Sequence, residues 1–379
     1  MGIINKKLNR RINRIGIDAR LYGPLGKGIG RYVREIVDHI IKIDTQNEYV
    51  IFLSQENFHE FAGAGRRIKK VLASARSYTL AEQIVMPWLI WREKLDLIHF
   101  PHFNAPIFAP GKFVITIHDL ISIKFPADRT STLPWWLYKI KNISYRLVIW
   151  LTVKRAKKVI AVSEYTKKDI IKQFKVNPKK IAVTYEGVAE LSKTPFNHGG
   201  KGGFIGQPYL LYIGNAYPHK NLDGLIRVFS EINKNLPDLK LVLVGKEDYF
   251  YSRLKQFAKK FSDHIIFPGY VPDRELAGLY QNALVYVFPS FYEGFGLPPL
   301  EAMAHGLTVV SSNKTCLPEI LGDAALYFNP DDEADMKYKI EQVLTDEKLR
   351  AELIKLGYEQ TKKYSWHRCA SQTLEIYKN

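Results

Sequence analysis

Two glutamates, Glu293 and Glu301, flank a glycine-rich turn in this chain of 379 residues. The apolar residues 283–288 before the turn predict a buried strand, and the spacing of apolar residues from Leu300 to Leu307 predicts a helix after it. Backbone amides at the start of a helix are unpaired, and the helix dipole adds partial positive charge, so an anion can bind there. The two carboxylates would then accept hydrogen bonds from hydroxyl groups on either side of that anion, such as those of a sugar and a ribose.

The stretch from Glu293 to Glu301, with Gly-Phe-Gly-Leu-Pro between the glutamates, resembles the retaining glycosyltransferases of family 4 (glycosyl transferases group 1). The pattern Tyr-Ile-Gly-Asn-x-x-Pro-His-Lys-Asn at residues 212–221 is similar to bacterial surface-polysaccharide mannosyltransferases. The resemblance implies the α/β GT-B fold, in which two Rossmann-like doubly wound domains face a cleft. It also implies that Glu293 contacts the donor sugar and Glu301 the nucleotide ribose. The donor diphosphate would bind the amides of the turn residues Gly294, Phe295, Gly296 and Leu297.

Lys220 is the second candidate in this half, because it follows the predicted strand Tyr209–Ile213 within Pro-His-Lys-Asn. An ammonium there can stabilise charge on a departing nucleotide diphosphate. The family commonly pairs this lysine with an arginine, but Asn215 stands in that place and is assigned to donor binding. The resemblance also assigns two residues of the Gly-Tyr-Val-Pro turn to the nucleotide base, Val271 and Pro272.

In the first half, the predicted strand 113–117 ends at His118-Asp119. The family carries a histidine at this place beside the transferred sugar, so His118 is expected to position the sugar and stabilise charge. Asp119 is either a cap or part of this site. His102 lies in an aromatic, proline-rich loop at the end of the predicted strand 95–100, where open α/β sheets bind ligands. It either helps to seat an acceptor or has no role in the site.

A glycine-rich turn containing Gly28 and Gly30 precedes a predicted helix and could let the backbone approach a ligand. The resemblance places these glycines on the donor side of the cleft and Arg31 on the acceptor side. The alternative is a tight turn without a ligand. Glu186 stands where the family usually has asparagine, and no role is assigned to it.

The net charge of +17 lies entirely in the first half of the chain. Residues 1–190 contain 33 Lys and Arg against 16 Asp and Glu, whereas the remainder contains 22 of each. A basic half beside a neutral half predicts an anionic partner on one side, such as a membrane surface, lipid phosphate or nucleic acid. Nucleic acid is the less favoured partner, because the second half is neutral and no binding motif occurs.

The segment 133–158 combines aromatic, basic and apolar residues, which is typical of an interfacial helix. The alternative is a core helix with Trp136, Ile140, Ile143 and Leu147 facing inward. No apolar region follows the basic N-terminus as in a signal peptide. The two cysteines have no metal-ligand spacing and suggest a reducing compartment. We therefore expect a cytoplasmic protein, peripheral on the inner face of the plasma membrane.

Four parts of the chain are predicted. Residues 1–191 form an acceptor-side domain, 192–207 a linker rich in glycine, 208–363 the nucleotide-sugar domain, and 364–379 a helix that returns to the first domain.

The predicted activity is retaining transfer of a sugar, with GDP-mannose favoured as donor and a UDP-sugar as the alternative. The predicted acceptor is a polyprenyl-diphosphate-linked or other glycan in surface polysaccharide biosynthesis. No cofactor and no metal are expected, since the chain has no Asp-x-Asp and the acidic run 331–335 suits a helix start. A non-catalytic nucleotide-sugar-binding protein on the same fold is a further alternative.

Overall fold

The computed structural model describes residues 13–23, 27–77, 79–125, 135–188 and 207–378, without the side chains of 27, 135–142, 144 and 274. Within these ranges the chain forms two sheets of parallel strands, one in each half. Continuous apolar runs form the central strands because both faces of each sheet are covered by helices.

The first sheet has the strand order β3-β2-β1-β4-β5-β6-β7. Its strands are β1 (Arg14–Asp18), β2 (Glu48–Leu53), β3 (Ile68–Leu72), β4 (Leu97–Phe100), β5 (Phe113–Ile117), β6 (Lys158–Ala161) and β7 (Ile181–Val183). Its helices are α1 (Lys27–Ile43), α2 (Glu82–Arg92), α3 (Ile121–Lys124), α4 (Trp135–Arg155) and α5 (Glu164–Phe174).

The second sheet has the order β10-β9-β8-β11-β12-β13. Its strands are β8 (Tyr209–Ile213), β9 (Lys240–Val244), β10 (Ile265–Gly269), β11 (Val285–Phe288), β12 (Val309–Ser312) and β13 (Ala325–Phe328). The helices of this half are α6 (Leu222–Asn233), α7 (Tyr249–Ala258), α8 (Asp273–Asn282), α9 (Leu297–Ala304), α10 (Leu317–Leu321), α11 (Glu333–Thr345), α12 (Glu347–Thr361) and α13 (Trp366–Lys378).

The last helix, α13, packs on the first half of the molecule. Trp366, Cys369 and Leu374 belong to one apolar cluster with residues of α1 such as Tyr32 and Ile36. Gly187 permits the chain to return, because a Cβ atom at this position would lie 2.2 Å from the Trp366 nitrogen. The predicted return of the terminal helix to the first half is therefore confirmed.

The strands at the predicted site agree closely with the sequence, and β5 and β8 have the predicted bounds. The prediction omitted β3 and β13, two short strands at the sheet edges. The acidic run after Pro330 is a helix start as predicted, because Asp332 accepts hydrogen bonds from the amides of Ala334 and Asp335. Residues 192–206 of the predicted linker lie outside the described residues, so the domain boundaries stay a prediction.

The helix α4 presents two faces. Ile149 and Val153 are buried against the first sheet, whereas Ile143 and Leu147 are exposed. The core interpretation of α4 is therefore wrong for Ile143 and Leu147, because the buried stripe lies on the other side of the helix. The side chains of Trp136 and Ile140 lie outside the described residues.

Candidate active site

The site of the second half lies where its strand order reverses, between β8 and β11. Lys220 ends a 3-10 turn after β8, and Glu293 follows β11. In open α/β sheets the connections after two such strands run to opposite faces of the sheet. They leave a crevice at the carboxyl ends of the strands, and ligands bind there. The topology thus brings together two residues that are 73 positions apart in the chain.

Lys220 Nζ donates a hydrogen bond of 2.5 Å to Glu293 Oε1, and only 12% and 10% of the two side chains are exposed. The Glu293 amide donates to Thr315 Oγ1 at 3.1 Å, which fixes the backbone at the start of the turn. The pair is a charge-assisted bond in a largely enclosed site. A ligand with both a phosphate and a hydroxyl group would replace this bond by two contacts. The Lys220 ammonium would bind the phosphate, and the Glu293 carboxylate would accept from the hydroxyl.

The turn after Glu293 contains a row of backbone amides without hydrogen-bond partners among the described residues. Gly296 has φ +105°, a conformation that favours glycine, and it directly precedes α9. Within the described ranges, no hydrogen bond is recorded from the amides of residues 294–297. These donors, at the positive end of a helix dipole, suit an anion.

Gly294 lies where the two halves of the molecule approach each other closely. A Cβ atom on it would lie 1.8 Å from the His118 carbonyl oxygen, so only glycine fits. Its carbonyl accepts hydrogen bonds from Ser163 Oγ at 2.7 Å and Thr166 Oγ1 at 3.2 Å. His118 is thus held against the turn that carries the free amides.

His118 contacts an acceptor with each ring nitrogen. Nδ1 lies 3.0 Å from Glu186 Oε1, and Nε2 lies 3.0 Å from the Pro101 carbonyl oxygen. A carboxylate and a backbone carbonyl can only accept, so with a Glu186 carboxylate both bonds require the doubly protonated imidazolium ring. Burial lowers the pKa of His118, but the bonds to Glu186 and Pro101 outweigh it, so the pKa is raised above its usual value.

The surroundings of His118 contain other titratable groups. The charge of Asp119 also favours the charged form of His118 and so raises its pKa. Burial and the charge of His118 lower the pKa of both His99 and His102 to about 3. The Tyr32 ring meets the His118 ring edge-on at 4.6 Å between centroids. Of these three neighbouring histidines, His118 is therefore the one whose surroundings favour the charged form.

Arg31 and Glu301, predicted for the acceptor side and the ribose, form an ion pair that joins α1 to α9 across the cleft. Tyr280 donates a further hydrogen bond of 3.2 Å to Glu301. Burial lowers the pKa of Arg31, but Glu301 and Asp273 raise it above its ordinary value. Ribose hydroxyls would share Glu301 with these two donors.

Gly28 and Gly30 lie inside α1, which begins at Lys27, so the expectation that they form a turn before the helix is wrong. Gly30 has a packing reason, because a Cβ atom there would lie 2.1 Å from the Gly23 carbonyl oxygen. Among the described residues, nothing lies within 4 Å of such an atom at Gly28. Glycine weakens a helix, and no packing contact requires it at Gly28. Gly28 therefore stays a candidate for close approach by a ligand.

The other predicted residues occupy four surroundings. The His102 ring lies 6.3 Å from that of His118 between centroids. Asn215 accepts the Tyr217 amide with its side chain, at 3.4 Å, and so supports the turn after β8. Phe295 is buried against Tyr364, which leaves only its backbone to face a ligand. Val271 and Pro272 follow β10, at the same carboxyl edge of the second sheet as Lys220 and Glu293.

Three contacting residues were missed from sequence. Glu186 binds His118, Thr315 binds the turn, and Glu319 accepts the α5 amides of Glu164 and Tyr165 at 2.7 and 2.8 Å. The sequence signal for a role of Glu186 was that it replaces the asparagine usual in the family. Asp119 accepts the Ile121 amide at 2.9 Å, which supports the capping interpretation.

Two family models match the chain. Glycosyltransferase Family 4 matches residues 26–190, and Glycosyl transferases group 1 matches residues 198–360. The chain is 29% identical to O-antigen chain mannosyltransferase B of Escherichia coli, over 93% of this chain and 96% of that protein. It is 30% identical to O-antigen chain mannosyltransferase RfbU of Salmonella typhimurium, over 73% and 72%.

Solved structures share the two-domain fold. WaaG, a glycosyltransferase involved in lipopolysaccharide biosynthesis, superimposes with a TM-score of 0.75 at 16% identity, over 96% of this chain and 99% of that one. Sucrose-phosphate synthase from Thermosynechococcus elongatus gives 0.74 at 18% identity, over 97% and 98%. The predicted arrangement of two Rossmann-like domains is confirmed.

Proposed function

This chain belongs to the family 4 glycosyltransferases, and from that premise we propose that it transfers mannose from GDP-mannose to a lipid-linked or other glycan acceptor. The two relatives named above are both O-antigen chain mannosyltransferases, which supports mannose and surface polysaccharide. The observation that carries the proposal is the row of free amides at 294–297 beside Lys220. This arrangement suits a nucleotide diphosphate.

The proposed transfer retains the configuration of the sugar. The acceptor hydroxyl oxygen bonds to the anomeric carbon as the bond from that carbon to the diphosphate oxygen breaks, on the same face of the sugar. The proton of the hydroxyl passes to the leaving phosphate oxygen, so that nucleoside diphosphate is released. This step requires no protein nucleophile and no metal ion.

Each side chain then has one task. Lys220 leaves Glu293 to neutralise the diphosphate, and the carboxylate accepts hydroxyl groups of the sugar. Glu301 binds the ribose. The His118 imidazolium adds a positive charge near a site that has asparagine in place of a second basic residue, which supports a role in charge stabilisation rather than as a base.

The acceptor is proposed to reach the site at an anionic membrane surface. Among the described residues, no helix combines the length and apolar character needed to cross a membrane. The helices α2 and α4 cover one face of the first sheet and expose apolar side chains, namely Ile84, Trp88, Trp91, Ile143, Leu147 and Trp150. Arg92 lies over Trp88 and Lys154 over Trp150, so cations border this apolar face.

Thermal denaturation with GDP, UDP, ADP and TDP tests the donor. A ligand that binds only the folded protein raises the unfolding temperature according to its affinity. We expect the largest rise with GDP and release of GDP from GDP-mannose when acceptor glycan is present. A larger rise with UDP would contradict the donor, and no rise with any nucleotide would contradict the site. Binding without transfer or hydrolysis would favour a non-catalytic protein.

A further inference from the structure

The guanidinium of Arg31 joins the first half of the molecule to the candidate donor site in the second half. Arg31 lies near the start of α1, and its Nη1 donates a hydrogen bond to Glu301 in α9. Ile29 of α1 and Leu297 of α9 pack against the same apolar cluster. The starts of the two helices therefore lie close together, and Arg31 is placed there by packing as well as by its ion pair.

The position of Glu301 in α9 relates Arg31 to the free amides of the turn. Side chains of a helix lean toward its N-terminus, so the Glu301 carboxylate leans toward residues 294–297. The glutamate on the other side of this turn in the chain, Glu293, binds Lys220. The row of amides is thus bordered by two glutamates, each of which holds a cation.

Arg31 has donors that it does not use within the described part of the chain. Its recorded hydrogen bond there is from Nη1, whereas Nε is buried without a hydrogen-bond partner and no bond from Nη2 is recorded. Nε and Nη2 form the edge of a guanidinium that binds two oxygen atoms of a carboxylate or phosphate. The side chain is 27% exposed, so it stays partly open to solvent. A buried donor without an acceptor is uncommon in folded proteins, and this edge suits an acceptor that a ligand brings.

The second half by itself supplies one cation to the site where the family commonly has two. Asn215 is a neutral amide that accepts a backbone hydrogen bond in the turn after β8. His118 favours its charged form, but both of its ring nitrogens already have partners. A nucleotide sugar carries a negative charge on each of its two phosphates. Lys220 can balance one of these charges, and Arg31 has the free donors to bind the other.

We propose that Arg31 is a donor-binding residue, which contributes the second cation of the diphosphate site from the first half of the molecule. Nη1 would keep its bond to Glu301, and the edge formed by Nε and Nη2 would bind the phosphate next to the ribose. This assignment rests on the proposed function, and it differs from the acceptor-side expectation for Arg31. A complete diphosphate site would then exist only while α1 lies against α9.

Saturation-transfer NMR titrations on the full chain compare GDP with guanosine, and UDP with uridine, so that either base is covered. Arg31→Gln should weaken binding of the diphosphate by about tenfold or more, because a charge-assisted contact is lost, and binding of the nucleoside by less than about threefold. Arg31→Lys keeps the charge without the paired donors and should give an intermediate loss. The matched control is Arg34→Gln in the same helix, because Arg34 pairs with its neighbour Glu35 and its side chain is 40% exposed.

A double variant separates a direct contact from an effect through Glu301. Arg31→Gln leaves the Glu301 carboxylate without this partner, and its charge would itself repel a phosphate. If that repulsion were the whole effect, Arg31→Gln combined with Glu301→Gln would bind the diphosphate as well as Glu301→Gln alone. A direct contact predicts a further loss of about tenfold in the double variant.

Unchanged diphosphate binding in Arg31→Gln would overturn the assignment, and so would the absence of a further loss in the double variant. An equal loss of diphosphate and nucleoside would show that Arg31 only holds the two halves together. The melting temperature of each variant shows whether it is folded. If the unmodified chain bound none of the four probes, the donor site itself would be overturned, so the failure of the proposed function can be told from the failure of this assignment.

Discussion

At the scale of single residues, the site consists of charges that satisfy one another. Lys220 pairs with Glu293, Arg31 with Glu301, and His118 with Glu186. Each pair joins residues distant in the chain, and each includes a residue predicted for the site. A nucleotide sugar would bring a phosphate for Lys220 and hydroxyls for Glu293, so the first pair is an exchangeable contact. Ribose hydroxyls would instead share Glu301 with Arg31.

Replacing Lys220 by alanine should lower kcat by a factor of about 10²–10³, the usual effect of removing one group that stabilises developing charge. Steady-state release of GDP from GDP-mannose, with acceptor present, measures it. Lys234→Ala is the control, because this lysine pairs with Glu231 on the exposed side of α6. Unchanged turnover in Lys220→Ala would remove the lysine from the mechanism.

Replacing Glu186 by glutamine should lower the pKa of His118, because an opposite charge in direct contact is lost while burial remains. In the unmodified protein the imidazolium is stabilised, so its contribution is present at low pH and is lost as pH rises through the raised pKa. In Glu186→Gln that loss should begin at lower pH. The pH profile of kcat and the ring ¹⁵N shifts of His118 measure the change.

Glu186→Asp keeps the negative charge and should restore most of the original profile. A purely structural role for Glu186 predicts a different pattern, in which stability falls but the alkaline limb of the profile stays in place. Ring ¹⁵N shifts of a neutral His118 at pH 6 in the unmodified chain would contradict the doubly donating geometry.

At the scale of elements, α2 and α4 differ from the other helices of the first half by the apolar side chains they leave exposed. The two helices share one apolar cluster through Met86, Leu89, Ile149 and Val153. The loop 101–111 links them, since the Ile107 amide binds Gln83 at 2.8 Å and Arg155 binds the Ala109 carbonyl at 3.0 Å. The exposed apolar side chains of α2 and α4 therefore form one candidate surface for lipid.

Replacing Ile84, Trp88 and Trp91 together by glutamine should reduce binding to vesicles that contain phosphatidylglycerol by about tenfold or more, because large apolar side chains supply much of the interfacial affinity. Co-sedimentation measures it. The control replaces three exposed side chains of the second half, Leu236, Tyr249 and Tyr338. Equal vesicle binding by both triple variants would contradict this surface.

At the scale of the whole molecule, the two halves meet through specific contacts. Ser163 and Thr166 bind the Gly294 carbonyl, Glu319 binds the first amides of α5, and Tyr292 binds Asp169. Within the first half, Lys124 donates a hydrogen bond of 2.6 Å to the same Asp169. These contacts align His118 with the amides of the turn, so the relative placement of the halves determines whether the site is complete.

Gly294→Ala should separate the halves, because the added methyl group would lie 1.8 Å from the His118 carbonyl oxygen. We expect kcat to fall by about 10², the cost of displacing reacting groups by an ångström. Small-angle X-ray scattering should show a larger radius of gyration. Ser163→Ala removes one hydrogen bond without a clash and should have a smaller effect on both. An unchanged radius and turnover in Gly294→Ala would contradict the contact.

The sequence by itself determined the strand, turn and helix around Glu293 and Glu301, and also the position of Lys220 after a strand. These features depend on neighbouring residues: an apolar run, a glycine that must adopt positive φ, and a helix start. The family resemblance extended them to a fold and an activity.

Only the tertiary structure decided which side chains meet. The contact of Gly294 with His118, the pairing of Arg31 with Glu301 and the bond from His118 to Glu186 join residues 68 to 270 positions apart. β1 and β4 likewise become neighbours only through the strand order of the first sheet. Such pairs depend on strand order and on how the two halves pack, which no local pattern of residue types encodes.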